Sequence, residues 1–504
     1  MNKKILQWNF VFQYGWVLTN IFNSILLLPL YLKNIDANTL GVWLATGSIL
    51  GWVTLVDPGV GEVLQQKIAE LRGKNEDSEV GKAIGSGFIA SLFILVFSTL
   101  VGLACYFSIG ALIDKDINQY PHLADALVIS VIATGLSLVS FSMSGINQGL
   151  HNSAHVAICA LCANFLFLFV NLLFLFQGYG VMSIAIANLC RALFIIIYNM
   201  TSMHQVLKKM NLAIEYNLEH FKKFIRIFSF TSTSKIISGL AYSVDMLVLA
   251  RFISPALITV FEINKRPFNI AFALIGRHSV ALMPVISHAK GSDRKDWIIN
   301  LINTQFRFYS YAALFVVFLF IFNYSNLITA WTGKGQYAGD LVMYLLSLNF
   351  FFGLICAFMA NVNYALGDIK INSLFNIIRN VIFGLIMFFA AKNYGIVGTL
   401  FASLFMILAA DFIFYNYRVY KMGYLQFSLI KSLFPPWLVI LPSAFVVGWA
   451  FKMGVESIVP APMYFSKLLL NSGLFALFFV TLVLVVDRYL RSMVKDATTK
   501  YILT

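Results

Sequence analysis

The feature that most constrains this chain is serial: one apolar stretch follows another along its whole length, with mostly short polar connections between them. A helix that crosses a bilayer needs about 20 mainly apolar residues. Fourteen such stretches can be placed, at about 10–32, 41–61, 83–109, 124–150, 156–177, 181–203, 227–251, 257–285, 298–325, 341–366, 372–391, 395–417, 432–451 and 464–486. Twelve remain if the last pair is not counted. No water-soluble core could hide them, since 60% of the residues are hydrophobic and the mean hydropathy is +0.81. Only 12% are charged, against about 25% in an ordinary soluble domain. The predicted fold class is therefore all-α integral membrane.

The formal net charge is +14. On a soluble protein that would suggest nucleic acid. Here the basic residues stand mostly between apolar stretches, so membrane topology accounts for them and no nucleic-acid partner is expected. With the N-terminus placed inside, the inner connections carry about 22 Lys and Arg and the outer ones about 5, which orients both termini to the cytoplasm. MNKK precedes an apolar run too long for a cleaved signal and lacking a small-residue cleavage site, so the first stretch reads as a retained membrane helix. The inner connection from Glu62 to Lys82 is mixed in charge and is expected to be partly helical along the membrane surface. No outer connection exceeds roughly 15 residues, which leaves no room for an extracytoplasmic catalytic domain.

The chain repeats itself. GINQGL is followed by YGVMSIAIANL, and NVNYAL is followed at nearly the same spacing by YGIVGTLFASL. Asn147 matches Asn363 and Leu150 matches Leu366, at an offset of 216. Tyr179 and Gly180 match Tyr394 and Gly395, and Ala187 and Leu189 match Ala402 and Leu404, at an offset of 215. Each half would hold six helices, an even number, so the halves share one orientation and their symmetry axis runs along the membrane normal. The expected organisation is an N-terminal lobe over 1–203, a cytoplasmic linker over 204–226, a C-terminal lobe over 227–417, and an extra helix pair with a cytoplasmic tail over 418–504.

Ionisable side chains inside membrane helices are costly and mark pathways by default. The basic set is Arg191, Lys235, Lys265, Arg266, Arg277, Arg307 and Arg379; the acidic set is Asp57, Asp245, Glu262 and Asp411. Arg191 lies roughly 15 Å deep at 1.5 Å per residue. Arg277 and Arg307 are near enough to helix ends to snorkel. Lys265 and Arg266 are adjacent and diverge by about 100° on a helix, and Glu262 stands four residues before Arg266, a spacing that favours a pair. A surplus of buried positive charge asks for an anionic ligand, and pyrophosphate suits it: Arg offers bidentate donors and Lys a compact charge. Arg191, Lys235, Lys265, Arg266, Arg277 and Arg379 are thus the candidate substrate-binding residues of a wet cationic cavity. Asp57, Asp245, Glu262 and Asp411 are candidates for ion coupling or for charge balance. Pro58 and Gly59 after Asp57, and Pro267 after Arg266, are candidate hinges.

Other chemistry is not signalled. The five cysteines all lie in apolar stretches, and the CxxC formed by Cys159 and Cys162 reads as small residues on a helix face. Neither a Gly-rich phosphate loop nor a His/Cys metal spacing is present, so no metal and no bound cofactor are expected.

The segment NSILLLPLYLKNIDANTLGVWLATGSILGWVTLVDPGVGEVLQQKIAE resembles the opening of the Wzx-type polysaccharide flippases of the multidrug/oligosaccharidyl-lipid/polysaccharide (MOP) exporter superfamily, in Pro29, Leu40–Gly41, Trp43 and Asp57–Gly59. SVDMLVLARFISPALITVFEINKRP, ALMPVISHAKG and WTGKGQYAG resemble later segments of the same family. The resemblance implies two six-helix lobes around a V-shaped central cavity. It implies transport of an undecaprenyl-pyrophosphate-linked oligosaccharide (O-antigen of lipopolysaccharide, capsule or exopolysaccharide) to the periplasmic leaflet of the inner membrane, with an H+ or Na+ gradient and, as partners, membrane lipids, a polysaccharide polymerase and a chain-length regulator. A peptidoglycan-precursor flippase and a drug/cation antiporter of the same superfamily are the alternatives. A membrane glycosyltransferase would need the outer loop or acidic metal site that the sequence lacks.

Overall fold

Backbone N–H and C=O groups find no water in a bilayer, so a chain this apolar must satisfy them within each segment. The computed structural model, which describes residues 3–53, 60–74, 76–150, 152–216, 244–460 and 463–492, does so with helices; among the described residues there is no strand. The helices are α1 Lys3–Asn34, α2 Ala37–Val53, α3 Val60–Gly73, α4 Asp77–Ile113, α5 Leu123–Gly149, α6 Ser153–Phe176, α7 Met182–Lys209, α8 Val244–Phe252, α9 Pro255–Gly291, α10 Lys295–Thr332, α11 Asp340–Ala365, α12 Ile369–Met406, α13 Ile413–Lys421, α14 Phe427–Ile458 and α15 Tyr464–Val486. Nine described runs are long and apolar enough to cross a membrane. One of them, Ile371–Lys421, is two spans: Gly395, at φ 54° and ψ −132°, breaks it at the turn expected between 391 and 395. Both members of the last pair, α14 and α15, are formed and long enough to span. Most of the stretch expected at 227–251 lies outside the described residues.

The inner connection after Glu62 is partly helical, in α3, and the apolar face of that helix is covered by protein. Val60, Leu64, Ile68 and Leu71 recur on one face and are buried together with Val80, Ile84, Met143 and Ile146, because α3 packs on α5 and α4. The approach is close enough that a Cβ on Gly145 would stand 2.1 Å from the Gly61 carbonyl oxygen. Pro267 lies within a continuous helix. α9 runs from Pro255 to Gly291 through it; a proline in a membrane helix is tolerated where neighbouring groups satisfy the freed carbonyl. Pro58 and Gly59 lie outside the described residues.

Contacts divide the chain into two compact units, Met1–Thr259 and Val260–Thr504. In the first, α8 packs against α2 and α4, Thr259 Oγ1 donates to the Ala37 carbonyl at 2.9 Å, and Gly41 leaves room for the Pro255 backbone. Each unit repeats the other's internal bonds. Asn147 Nδ2 donates to the Asn199 carbonyl at 2.9 Å, joining α5 to α7; Asn363 Nδ2 donates to the Tyr415 carbonyl at 3.1 Å, joining α11 to α13. Asn152 Nδ2 donates to Ser202 Oγ at 2.7 Å, and at the matching place Arg418 Nε donates to Asp368 Oδ2 at 2.6 Å. The carbonyl that ends α5, at Leu150, accepts from Arg72, and that which ends α11, at Leu366, accepts from Lys290. A cation on the last carbonyls of a helix also complements its dipole. Except for the two cations, Arg72 and Lys290, the matched residues stand at an offset of 216, the offset of the sequence repeat.

The second unit has one extra residue. The offset is 215 at Leu189/Leu404 and 216 again at Asn199/Tyr415. Between them Ile407–Phe412 forms a π-helical turn, whose wider i→i+5 bonding accommodates a residue that an α-turn cannot.

Candidate functional site: charged groups within the spans

In the first unit the candidate cation Arg191 lies on α7. Arg191 stands ten positions into that helix, partly buried, with its guanidinium carbon 5.1 Å from the Phe167 ring of α6. Among the described residues no carboxylate pairs with it. A cation within a span that faces an aromatic ring, with no carboxylate on it among the described residues, has donors to offer to water or an anion.

In the second unit the structure brings two of the candidate residues together. Arg379 on α12 grips Asp411 on the π-turn with both ends of its fork: Nε to Oδ1 at 3.0 Å and Nη2 to Oδ2 at 2.8 Å. The same guanidinium lies 4.8 Å from the Phe383 ring, and Nη1 donates to Asn380 at 3.2 Å. Neighbouring bonds fix the frame: the Tyr415 hydroxyl donates to Asn376 Oδ1 at 2.7 Å, and Asn376 Nδ2 donates to the Tyr364 hydroxyl at 3.3 Å. The pair retains 16% and 12% side-chain exposure.

Glu262, Lys265 and Arg266 are partly buried on α9, and the Lys265 ammonium lies 5.6 Å from the Phe261 ring. Arg277, further along α9, is exposed. Asp245 is the second residue of α8. Lys235 and Asp57 lie outside the described residues. Groups able to hold a metal are not found among the described residues. Cys159 is buried and accepts from Asn199 Nδ2 at 3.6 Å, a packing role.

Sequence reasoning missed one node. Arg307, which could have snorkelled to an interface, is instead buried on α10 and paired with Asp487 just past α15, Nη1 to Oδ2 at 2.7 Å. Its Nη2 donates to Ser432 of α14 at 2.6 Å, and the Tyr311 hydroxyl donates to Asp487 Oδ2 at 2.7 Å. Asp487 Oδ1 accepts from the Tyr489 and Leu490 amides. The node ties the last helix pair to α10. An acid directly after the final apolar run, with an arginine in need of a partner, was the available signal.

No family model matches this sequence, and no curated protein matches it. Solved structures do match the fold. The lipid II flippase MurJ in an inward closed conformation superposes with a TM-score of 0.67 at 14% identity, covering 96% of this chain and 100% of that one. A multidrug-resistance MATE transporter of the MOP superfamily, facing inward, gives 0.64 at 14% identity over 81% of this chain and 95% of its own. A MOP superfamily transporter from Pyrococcus furiosus, described by the reverse polarity of its binding pocket, gives 0.55 at 13% over 83% and 96%. The likeness is one of fold: an all-α, multi-pass membrane fold of the MOP type.

Proposed function

We propose that this chain is a MOP superfamily flippase that carries an undecaprenyl-pyrophosphate-linked oligosaccharide, a repeat unit of O-antigen, capsule or exopolysaccharide, from the cytoplasmic to the periplasmic leaflet. The observation that carries the reading is Arg191: a guanidinium at mid-span, facing an aromatic ring, with no carboxylate to neutralise it among the described residues. A drug cation would be repelled there, whereas a pyrophosphate supplies the missing charge and matches the planar fork. The Wzx-type resemblance of the sequence supplies the lipid-linked sugar. The chain works in the inner membrane with both termini cytoplasmic, by alternating access, on an H+ or Na+ gradient and without a bound cofactor. A polymerase and a chain-length regulator are its natural partners.

Replacing Arg191 with Ala should abolish surface polysaccharide while the protein accumulates normally in the membrane. Wild-type polymer length and amount in that variant would remove Arg191 from the substrate path.

A second reading is a peptidoglycan-precursor flippase. Its support is the likeness to a lipid II flippase over 96% of the chain, against 81% for the MATE transporter. The difference is close to the length of 427–504, which contains the last helix pair. Depletion separates the readings: growth arrest with accumulated cell-wall precursor favours the second, and loss of polysaccharide alone favours the first.

A further inference from the structure

The repeat aligns more than the helices. Counting by 216 from Asn152/Asp368, Asn164 falls on Asn380 and Phe167 on Phe383. Each of these equivalent phenylalanines carries a guanidinium, Arg191 at 5.1 Å in the first unit and Arg379 at 4.8 Å in the second. The arginines come from different places in the repeat, one from α7 and one from the phenylalanine's own helix. The two units have thus arrived at the same element, a cation on the ring of the fifteenth residue of α6 and of α12.

They differ in one respect. Arg191 has no carboxylate among the described residues, while both ends of the Arg379 fork are taken by Asp411. Asp411 stands on the π-turn, the place of the residue that the first unit lacks. Around its carboxylate, α12 contributes Arg379, α11 contributes Cys356 and, through Asn376, Tyr364, and α13 contributes Tyr415. No second carboxylate is among these groups, so Arg379 is the charge that Asp411 must surrender if it takes a proton.

We infer that Arg379 is a second anion site, equivalent to Arg191, which Asp411 keeps closed until a proton from solvent neutralises its carboxylate. The proton binds an Asp411 oxygen, the bidentate pair opens, and the guanidinium offers its fork to a phosphate-type anion. Loss of the proton re-forms the pair and expels the anion. Proton and anion binding are then positively linked, each raising the affinity for the other by the same factor. The inference deepens the proposed function and takes from it the nature of the anion.

The test is calorimetric titration of the full-length protein in detergent with inorganic pyrophosphate, in buffers of differing ionisation enthalpy so that protons taken up are counted. Wild type should take up close to one more proton per pyrophosphate than Asp411→Asn. That variant, with the site open, should bind about tenfold more tightly at neutral pH, as expected when a minor competent state becomes the only one. Removing both charges in R379Q/D411N leaves no buried ion stranded and should cancel the gain. Arg191 contributes the same binding to every variant, so equal affinity and equal proton uptake in wild type and D411N overturn the inference, as does a gain over wild type that persists in R379Q/D411N. Inorganic pyrophosphate reads this site whatever the transported molecule is. Failure here with loss of polymer in Arg191→Ala sinks the gate alone; success here with normal polymer in Arg191→Ala keeps the gate and removes the observation on which the flippase reading rests.

Discussion

A charged side chain in a span is legible in sequence as a type and a depth, but not as a partner. Arg191 and Arg379 look alike in the sequence, each a lone arginine in an apolar run; the structure leaves the first without a carboxylate among the described residues and clamps the second. The acid that clamps it was visible as a candidate, yet nothing local to Arg379 assigns Asp411 to it, because the two are 32 residues apart on different spans. Asp487 escaped notice for a related reason: it stands outside the apolar run and looks like an ordinary exit residue. Its burial, at 1% exposure, makes it expensive to disturb. Asp487→Ala strands the Arg307 cation and should cost about 3–5 kcal/mol, seen as a clear fall in the melting temperature of the detergent-solubilised protein. Adding Arg307→Met should recover part of that loss. A double variant as unstable as the single one would mean that packing, not charge, holds the node.

At the scale of elements, hydropathy located the helices well and their ends poorly. The stretch expected at 83–109 is part of a helix over Asp77–Ile113, and that at 298–325 is part of one over Lys295–Thr332. Hydropathy marks the bilayer's core, whereas a helix continues into the interface until a cap or a turn stops it. The π-turn was readable only as a one-residue drift in the repeat, from 215 to 216, and only once bonded atoms fixed the second value. Glycines were legible as small residues but not as contacts. Gly145→Leu must push α5 away from the Gly61 carbonyl and should cost about 1–3 kcal/mol, the usual penalty for overpacking. Gly384, with nothing within 4 Å of an added Cβ, should accept Ala with a gain of up to about 1 kcal/mol from helix propensity. Thermal melts of the two variants side by side check both; equal melting temperatures would show that the α3–α5 crossing is loose.

The whole molecule was the most legible scale: an all-α, multi-pass fold, with the bonds of the two sequence repeats matching one another. These properties follow from apolar length and self-similarity, which need no side-chain partners. The proposed orientation rests on the Lys and Arg bias and can be checked with single cysteines in an otherwise cysteine-free chain. Asn118→Cys, in the connection after α4, should react with an impermeant maleimide on intact cells whose outer membrane has been permeabilised. Lys208→Cys, at the end of α7, should react only after the inner membrane is opened. The reverse pattern would invert the topology and with it the direction of transport.

The repeat and the compact units do not share a boundary. By sequence the second copy begins near residue 227, yet the first unit keeps the chain up to Thr259: α8 lies on α2 and α4, and Thr259 is bonded to Ala37. For the ribosome and the insertion machinery this imposes an order. Six helices can enter the bilayer and close the tie between Asn147 and Asn199, but the face of α2 around Gly41 waits for a segment translated later. The first unit is finished with material borrowed from the second copy. A chain cut at the repeat would leave the first unit without α8 and without the Thr259 tie to Ala37.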